Sequence, residues 1–321
     1  MKQILLLIAI IIGLISVFLL TRNSSDSIDN PYSFNVPNIG ELSKIEILAG
    51  KYEDMTFTKE NDVWTLQRGH LARENAMDNL LEVIQHLEIK YIPERAALKN
   101  INAEMKEIGV EVLVYDRSGK KRQHYIIGGS IADERGTYLK LKEHDQPYVV
   151  HLPTLEGSVR GRFLMRYDEW RDRSIFKIDS EKIASVKVNY PRQQTESFEL
   201  TENGVRNIAG QEVNPTAKID QYVHSFDHVI AEAYENHNSN QDSIRAMLAF
   251  CEISVRLKGG SERSIKLYPI ENYIEESLVT LENTPRINRY FVDTNSGDFM
   301  LVQQRIIGKL LRGYSYFATD E

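Results

Sequence analysis

The stretch FTKENDVWTL, Phe57 to Leu66, recurs in outline as FELTENGVRNI at Phe198 to Ile208, and this pairing constrains the fold more than any other feature of the chain. Each stretch alternates apolar and polar residues on either side of a turn rich in Asn, Asp or Gly, the pattern of a β-hairpin. Phe57 and Phe198 lie 141 positions apart, and Glu60-Asn61-Asp62-Val63 and Glu202-Asn203-Gly204-Val205 lie 142 apart. Asn203-Gly204 is the stronger turn signal, because both residues tolerate positive φ.

Neighbouring segments keep the same offset. Ile45 and Ile47 in KIEIL alternate with charged residues as a half-buried strand requires, and Val186 and Val188 in SVKVN follow 141 positions later. After each hairpin comes an amphipathic stretch of helical period: Met77, Leu80, Leu81, Ile84 and Leu87, then Ile219, Tyr222, Val223, Phe226 and Val229, 142 positions on. EVLVYDRSGK from Glu111 and EISVRLKGGS from Glu252 read as strand and turn, and RQHYIIGG corresponds to ERSIKLYP. GTYLKL then pairs with ESLVTL through Tyr138 and Val279, and QPYVVHLP with NRYFVDTN through Tyr148 and Tyr290.

Short strands joined by tight turns, without long βαβ alternation, predict antiparallel sheets with helices set to one side. The expected class is therefore α+β: an N-terminal transmembrane helix followed by two tandem duplicated antiparallel sheet-plus-helix units. Its expected divisions are 1–22 signal anchor, 23–40 linker, 41–152 first unit, 153–178 Arg-rich connector and 179–321 second unit.

The anchor is expected from ILLLIAIIIGLISVFLL, Ile4 to Leu20, seventeen residues without a charge. At ~1.5 Å per residue a helix of that length reaches about 25 Å, the short end of a membrane span. A cleaved signal peptide is the competing reading, but the run exceeds a usual signal core and no small-x-small site follows it. The large C-terminal part is then placed outside the cytoplasm, with the chain crossing the bacterial inner membrane once.

A length of 321 residues suffices for two domains with real cores. The net charge of -7 argues against a nucleic-acid partner. Cys251 is the sole cysteine and stands among apolar neighbours in MLAFCEISVRL. It excludes an intramolecular disulfide and a thiolate metal cluster, and it reads as a small buried hydrophobe.

Candidate chemistry is sparse, and no cofactor is expected. Arg160, Arg162, Arg166, Arg171 and Arg173 fall within fourteen positions of the connector. They read either as an anion or partner site or as arginines paired with Asp168, Glu169, Asp172 and carbonyls at element ends. His224 and His228 have the i, i+4 spacing of a metal pair, but the neighbouring apolar residues turn them to solvent and no Glu follows the first. Gly128-Gly129 in IIGGS lacks a phosphate-loop frame and reads as a turn or bulge. Ser158 lacks the G-x-S-x-G frame of a hydrolase. Trp64, Trp170 and sixteen tyrosines offer material for a sugar-binding face, with core packing the favoured use.

ENDVWTLQRGHLARENAMDNLLEVIQHL, IIGGSIADERGTYLKLKEHDQPYVVHLP and EWRDRSIFKIDSEKIASVKV, in that order, resemble the bacterial domain of unknown function 4340 family. The resemblance covers most of residues 41 to 240; the second half departs from it in carrying Arg206 at the position expected for tryptophan. It implies a membrane helix, an extracytoplasmic body of β-rich units and an accessory role beside gliding-type ABC transporters. No catalytic motif carries over. The expected function is a non-enzymatic, membrane-anchored envelope protein that acts as accessory or scaffold subunit of an ABC transporter or other envelope complex. An envelope enzyme or glycan-binding protein acting on polysaccharide or lipid is the alternative.

Overall fold

A computed structural model describes residues 33–272 and 286–319. It divides the chain into two compact units, Met1–Trp170 and Arg171–Glu321.

In the first unit the strands are β1 (Leu42–Leu48), β2 (Met55–Glu60), β3 (Val63–Leu66), β4 (Glu88–Tyr91), β5 (Val110–Asp116), β6 (Lys121–Ser130), β7 (Thr137–Leu141) and β8 (Tyr148–His151). They form one antiparallel sheet in the order β3-β2-β1-β5-β6-β7-β8-β4. Helices α1 (Glu74–His86), α2 (Leu98–Ile108) and the short α3 (Tyr167–Trp170) complete it. Alternation decides the faces: Val110, Val112 and Val114 of β5 are buried while Glu111, Leu113 and Tyr115 are only partly covered. The buried face meets Ala76, Met77, Leu80, Val83 and Ile84 of α1. Trp170 closes this core with its ring 4.7 Å from that of Phe57.

The second unit contains β9 (Ser174–Phe176), β10 (Ile183–Asn189), β11 (Phe198–Thr201), β12 (Gly204–Asn207), β13 (Glu212–Val213), α4 (Ala217–His224), β14 (Val229–Ile230), β15 (Ala233–Tyr234) and α5 (Gln241–Arg245). β16 (Cys251–Leu257), β17 (Glu262–Asn272), β18 (Arg286–Thr294), β19 (Phe299–Gln303), α6 (Gln304–Ile307) and α7 (Tyr314–Ala318) follow. Nine strands run β13-β12-β11-β10-β16-β17-β18-β19-β15, and β14 pairs with β9 separately.

The class differs from the α+β chain expected. The described residues are built mostly of antiparallel sheet, and the longest helix, α1, has thirteen residues. No helix among the described residues is long and apolar enough to cross a membrane. The expected transmembrane helix, Ile4 to Leu20, lies outside the described residues. The helical period also overstates the second unit: α4 ends at His224, and Phe226 and Val229 reach the core from a turn and from β14. Spacing of three or four marks what is buried, and a turn followed by a strand serves that spacing as well as a helix does.

The two sheets share pairing register to a fine degree. Ile47 faces Val112 across β1 and β5, and Val188 faces Ile253 across β10 and β16. Both pairs carry an irregularity at the same point, between Leu42 and Lys44 and between Ile183 and Ser185.

The hairpins depart from this in one respect. Ile45 stands opposite Phe57, but Val186 stands opposite Leu200, so the second hairpin is slid along its neighbour. The slip is an even number of residues, which leaves every side chain on its original face. Its turn also falls earlier than expected: Thr201 pairs with Gly204, placing Glu202 and Asn203 at the tip. Gly204 instead enters the strand at φ +117°, where a Cβ would lie 2.1 Å from the Val213 carbonyl oxygen. Only glycine fits so close a backbone approach.

The last strands break the constant offset. Leu139 pairs with Tyr148 as Val292 pairs with Met300, so Met300, not Tyr290, holds the place of Tyr148. The expected partner of Tyr138, Val279, lies outside the described residues.

Candidate functional site

The outer face of the first sheet carries its most connected charged group. Glu111 projects from β5, with His124 Nε2 at 2.6 Å from one oxygen and Lys142 Nζ donating to the other. Lys121 Nζ lies 3.1 Å from His124 Nδ1. An ammonium has no acceptor, so Nδ1 accepts and Nε2 carries the proton given to Glu111. Partial burial pushes the Glu111 carboxyl up, but the hydrogen bonds from Lys142 and His124 outweigh it and the net shift is downward.

Beside Glu111 is an open depression of about 500 Å³. Tyr52 and Asp54, from the β1–β2 connection, form one side; Met105 and Lys106 at the end of α2 form another; Leu48, Ile126 and Lys142 line the sheet. Asp54 is fixed by accepting a hydrogen bond from Ala49 N at 2.8 Å.

This depression exists because α2 lies on the outer face, and three glycines allow it. A Cβ on Gly128 would come within 2.8 Å of Met105 Cγ, and one on Gly129 within 2.2 Å of Glu104 Oε1. One on Gly109 would meet the Met105 carbonyl oxygen at 2.1 Å. Gly128-Gly129 therefore does more than form the irregularity between Ile127 and Ser130: it seats a helix. In the second sheet the register puts Tyr268 at the corresponding place, and its hydroxyl reaches the Arg245 carbonyl at the end of α5.

The second unit places Glu252 in the register of Glu111, with Lys266 Nζ at 3.8 Å. Its own depression, about 530 Å³, is lined by Asn189, Ser197, Glu199, Arg206, Ile208 and others. Asn189 stands in it where Leu48 stands in the first.

The connector arginines are distributed over both units. Arg160 sends its guanidinium to the carbonyls of Ile127, Gly128 and Ile108 at 3.1, 2.7 and 2.6 Å, tying the end of α2 to β6. Arg162 approaches Glu82 at 3.7 Å, and Arg166, largely exposed, approaches Glu169 at 3.6 Å. In the second unit Arg171 makes a forked pair with Asp298 at 2.9 and 2.8 Å and lies 4.2 Å over the Tyr234 ring. Arg173 donates to the Glu232 carbonyl at 2.6 Å.

Other candidates have local partners as well. His224 and His228 are exposed, the former 3.3 Å from Asp227, and no group of His, Cys, Asp or Glu suited to a metal occurs among the described residues. Ser158 contacts the Thr137 hydroxyl at 2.8 Å. Cys251 is buried, and burial pushes its thiol up to about 12. Trp170 is fully buried and Trp64 packs against the same core; the residue pairing in the place of Trp64 in the second hairpin is Val205, not Arg206. Sequence reasoning passed over Tyr52 and Glu111, whose only signal was a tyrosine in the polar stretch GKYED and an acid inside an alternating strand.

The fold and its outer faces define a protein of two antiparallel sheet units, each with a mixed polar depression at a corresponding strand pair. The chain matches the family described as a domain of unknown function (DUF4340) over residues 64–246, and it belongs to that family. The matched span begins in the first hairpin and runs through α5, so it takes in parts of both units. No curated protein and no solved structure matches the chain.

Proposed function

We propose that this protein is a non-enzymatic envelope component that holds a partner, as an accessory or scaffold subunit of an ABC transporter or other envelope complex. The observation that carries the reading is the shared register of the two sheets, which repeats one strand framework twice on one chain. Paired surfaces of this kind raise the effective concentration of a second contact once the first has formed. The apolar stretch at residues 4–20 supports attachment at the outer side of the bacterial cytoplasmic membrane. Exposed apolar side chains at Tyr91, Ile92, Met247 and Leu248 are available to a protein partner.

The test is purification of the native protein from membranes in mild detergent. Copurification with defined envelope subunits in fixed ratio is expected; a protein that runs alone as a monomer at every detergent tested overturns the reading. A second reading, an envelope enzyme or glycan-binding protein acting on polysaccharide or lipid, draws on the depression beside Tyr52.

A further inference from the structure

We infer that the depression on the outer face of the first sheet is a binding site for a neutral saccharide, with one pyranose ring lying against Tyr52. Its volume of about 500 Å³ falls within the range of small-molecule sites, roughly 300–1,000 Å³.

Its charges select the ligand class. Asp54 and Glu111 share this lining with Lys106 and Lys142, Lys142 in direct contact with Glu111, so it carries two acids and two bases and no net sign. Such a site gives no Coulombic preference to an ion, yet it offers charge-assisted acceptors and donors together. A hydroxyl group uses both, donating to a carboxylate and accepting from an ammonium. A ligand dense in hydroxyls on its rim is the chemical complement.

The apolar part agrees. Tyr52 is 65% exposed and Leu48 39%, and Ile126 lies opposite Glu111 on β6. Tyrosine joins an apolar ring to a polar tip, and this ring stands open to solvent at the edge of the depression. The C–H face of a pyranose is the apolar surface that stacks on such a ring. The second unit provides an internal contrast: Asn189 and Lys266 replace Leu48 and Ile126 in register, and Phe198, the aromatic residue of that depression, is buried. The saccharide site therefore belongs to the first unit alone.

The experiment is saturation-transfer NMR on the full chain, held in a detergent without sugar head groups, with cellobiose, chitobiose and maltose as probes. Transfer to the ring protons of at least one disaccharide is expected. Tyr52→Ala then weakens binding by about three- to tenfold, the worth of one aromatic contact. Tyr52→Phe keeps it, and Ile208→Ala in the second depression leaves it unchanged. The inference is overturned by absence of transfer from all three probes, by binding indifferent to Tyr52→Ala, or by loss in Ile208→Ala. A glucuronate or glucosamine disaccharide that binds more than tenfold tighter than its neutral parent also overturns it. None of these outcomes depends on copurification, so this inference and the scaffold reading fail separately.

Discussion

Gly128 and Met105 meet where α2 crosses the first sheet: a Cβ on the glycine would lie 2.8 Å from Met105 Cγ, and Tyr138 Cβ stands 3.1 Å away on the other side. That contact sets the helix at the height that walls the depression. Gly128→Val places a branched side chain in this gap, and overpacking of that kind costs about 1–3 kcal/mol. A lower midpoint in thermal unfolding is expected, with amide exchange in α2 accelerated beyond that in α1.

Arg160 holds the same end of that helix, through the Ile108 carbonyl. Arg160→Met leaves three carbonyl oxygens without their cationic donor, and hydrogen bonds to a charged group are worth about 1.5–3 kcal/mol. Arg160→Lys restores only part of this, because an ammonium lacks the planar fork. Denaturant unfolding of the three proteins should rank wild type above Lys above Met.

Acid should act on the first unit through Glu111. Its folded pKa is depressed, so its pairing stabilises the fold above the unfolded carboxyl value, about 4.3, and that stabilisation is lost as pH falls through the lower folded value. Glu111→Gln should lower stability at pH 7, by no more than about 1 kcal/mol for a partly exposed pair, and flatten the decline below pH ~4.3. Urea melts across pH 3 to 7 provide the comparison.

Cys251 should be chemically silent while the second unit is folded. A thiol raised to about 12 by burial carries almost no thiolate at pH 8, and thiolate is the reactive form. Ellman's reagent should find no thiol in the native protein and one per chain in guanidinium. Rapid native labelling would contradict the buried placement.

The C-terminal segment is pinned by two tyrosine hydroxyls, Tyr222 to the Leu310 carbonyl and Tyr190 to the Arg312 carbonyl, each at 3.0 Å. Tyr222→Phe removes the fully buried one and leaves an orphaned acceptor, a loss of about 1–3 kcal/mol. Limited proteolysis should then cut nearer Leu310 than in the wild type, with cleavage in the first unit unchanged.

Much of the local structure was legible. The alternation in KIEIL and SVKVN places β1 and β10, and the two hairpins are visible as apolar runs about a polar turn. The turn at Asn203-Gly204 misled because Gly204 is needed for a different reason: the Val213 backbone passes too close for any side chain, a contact from a strand several residues away. Of the depression, the sequence showed little. Glu111 looks like any polar residue on the wet face of a strand, and its ties to His124 and Lys142 come from the next strand, β6, and from the turn after β7.

Local sequence by itself determined which residues alternate, where strands begin, and that Cys251 has no intramolecular disulfide partner, because these follow from period and composition. Tertiary structure decided the weight of sheet over helix, the slip of the second hairpin, and whether a glycine pair seats a helix or only bends a strand. It also decided what each arginine touches. Those outcomes depend on backbone and side chains brought together from distant positions, where space and unsatisfied carbonyls, rather than residue type, choose the partner.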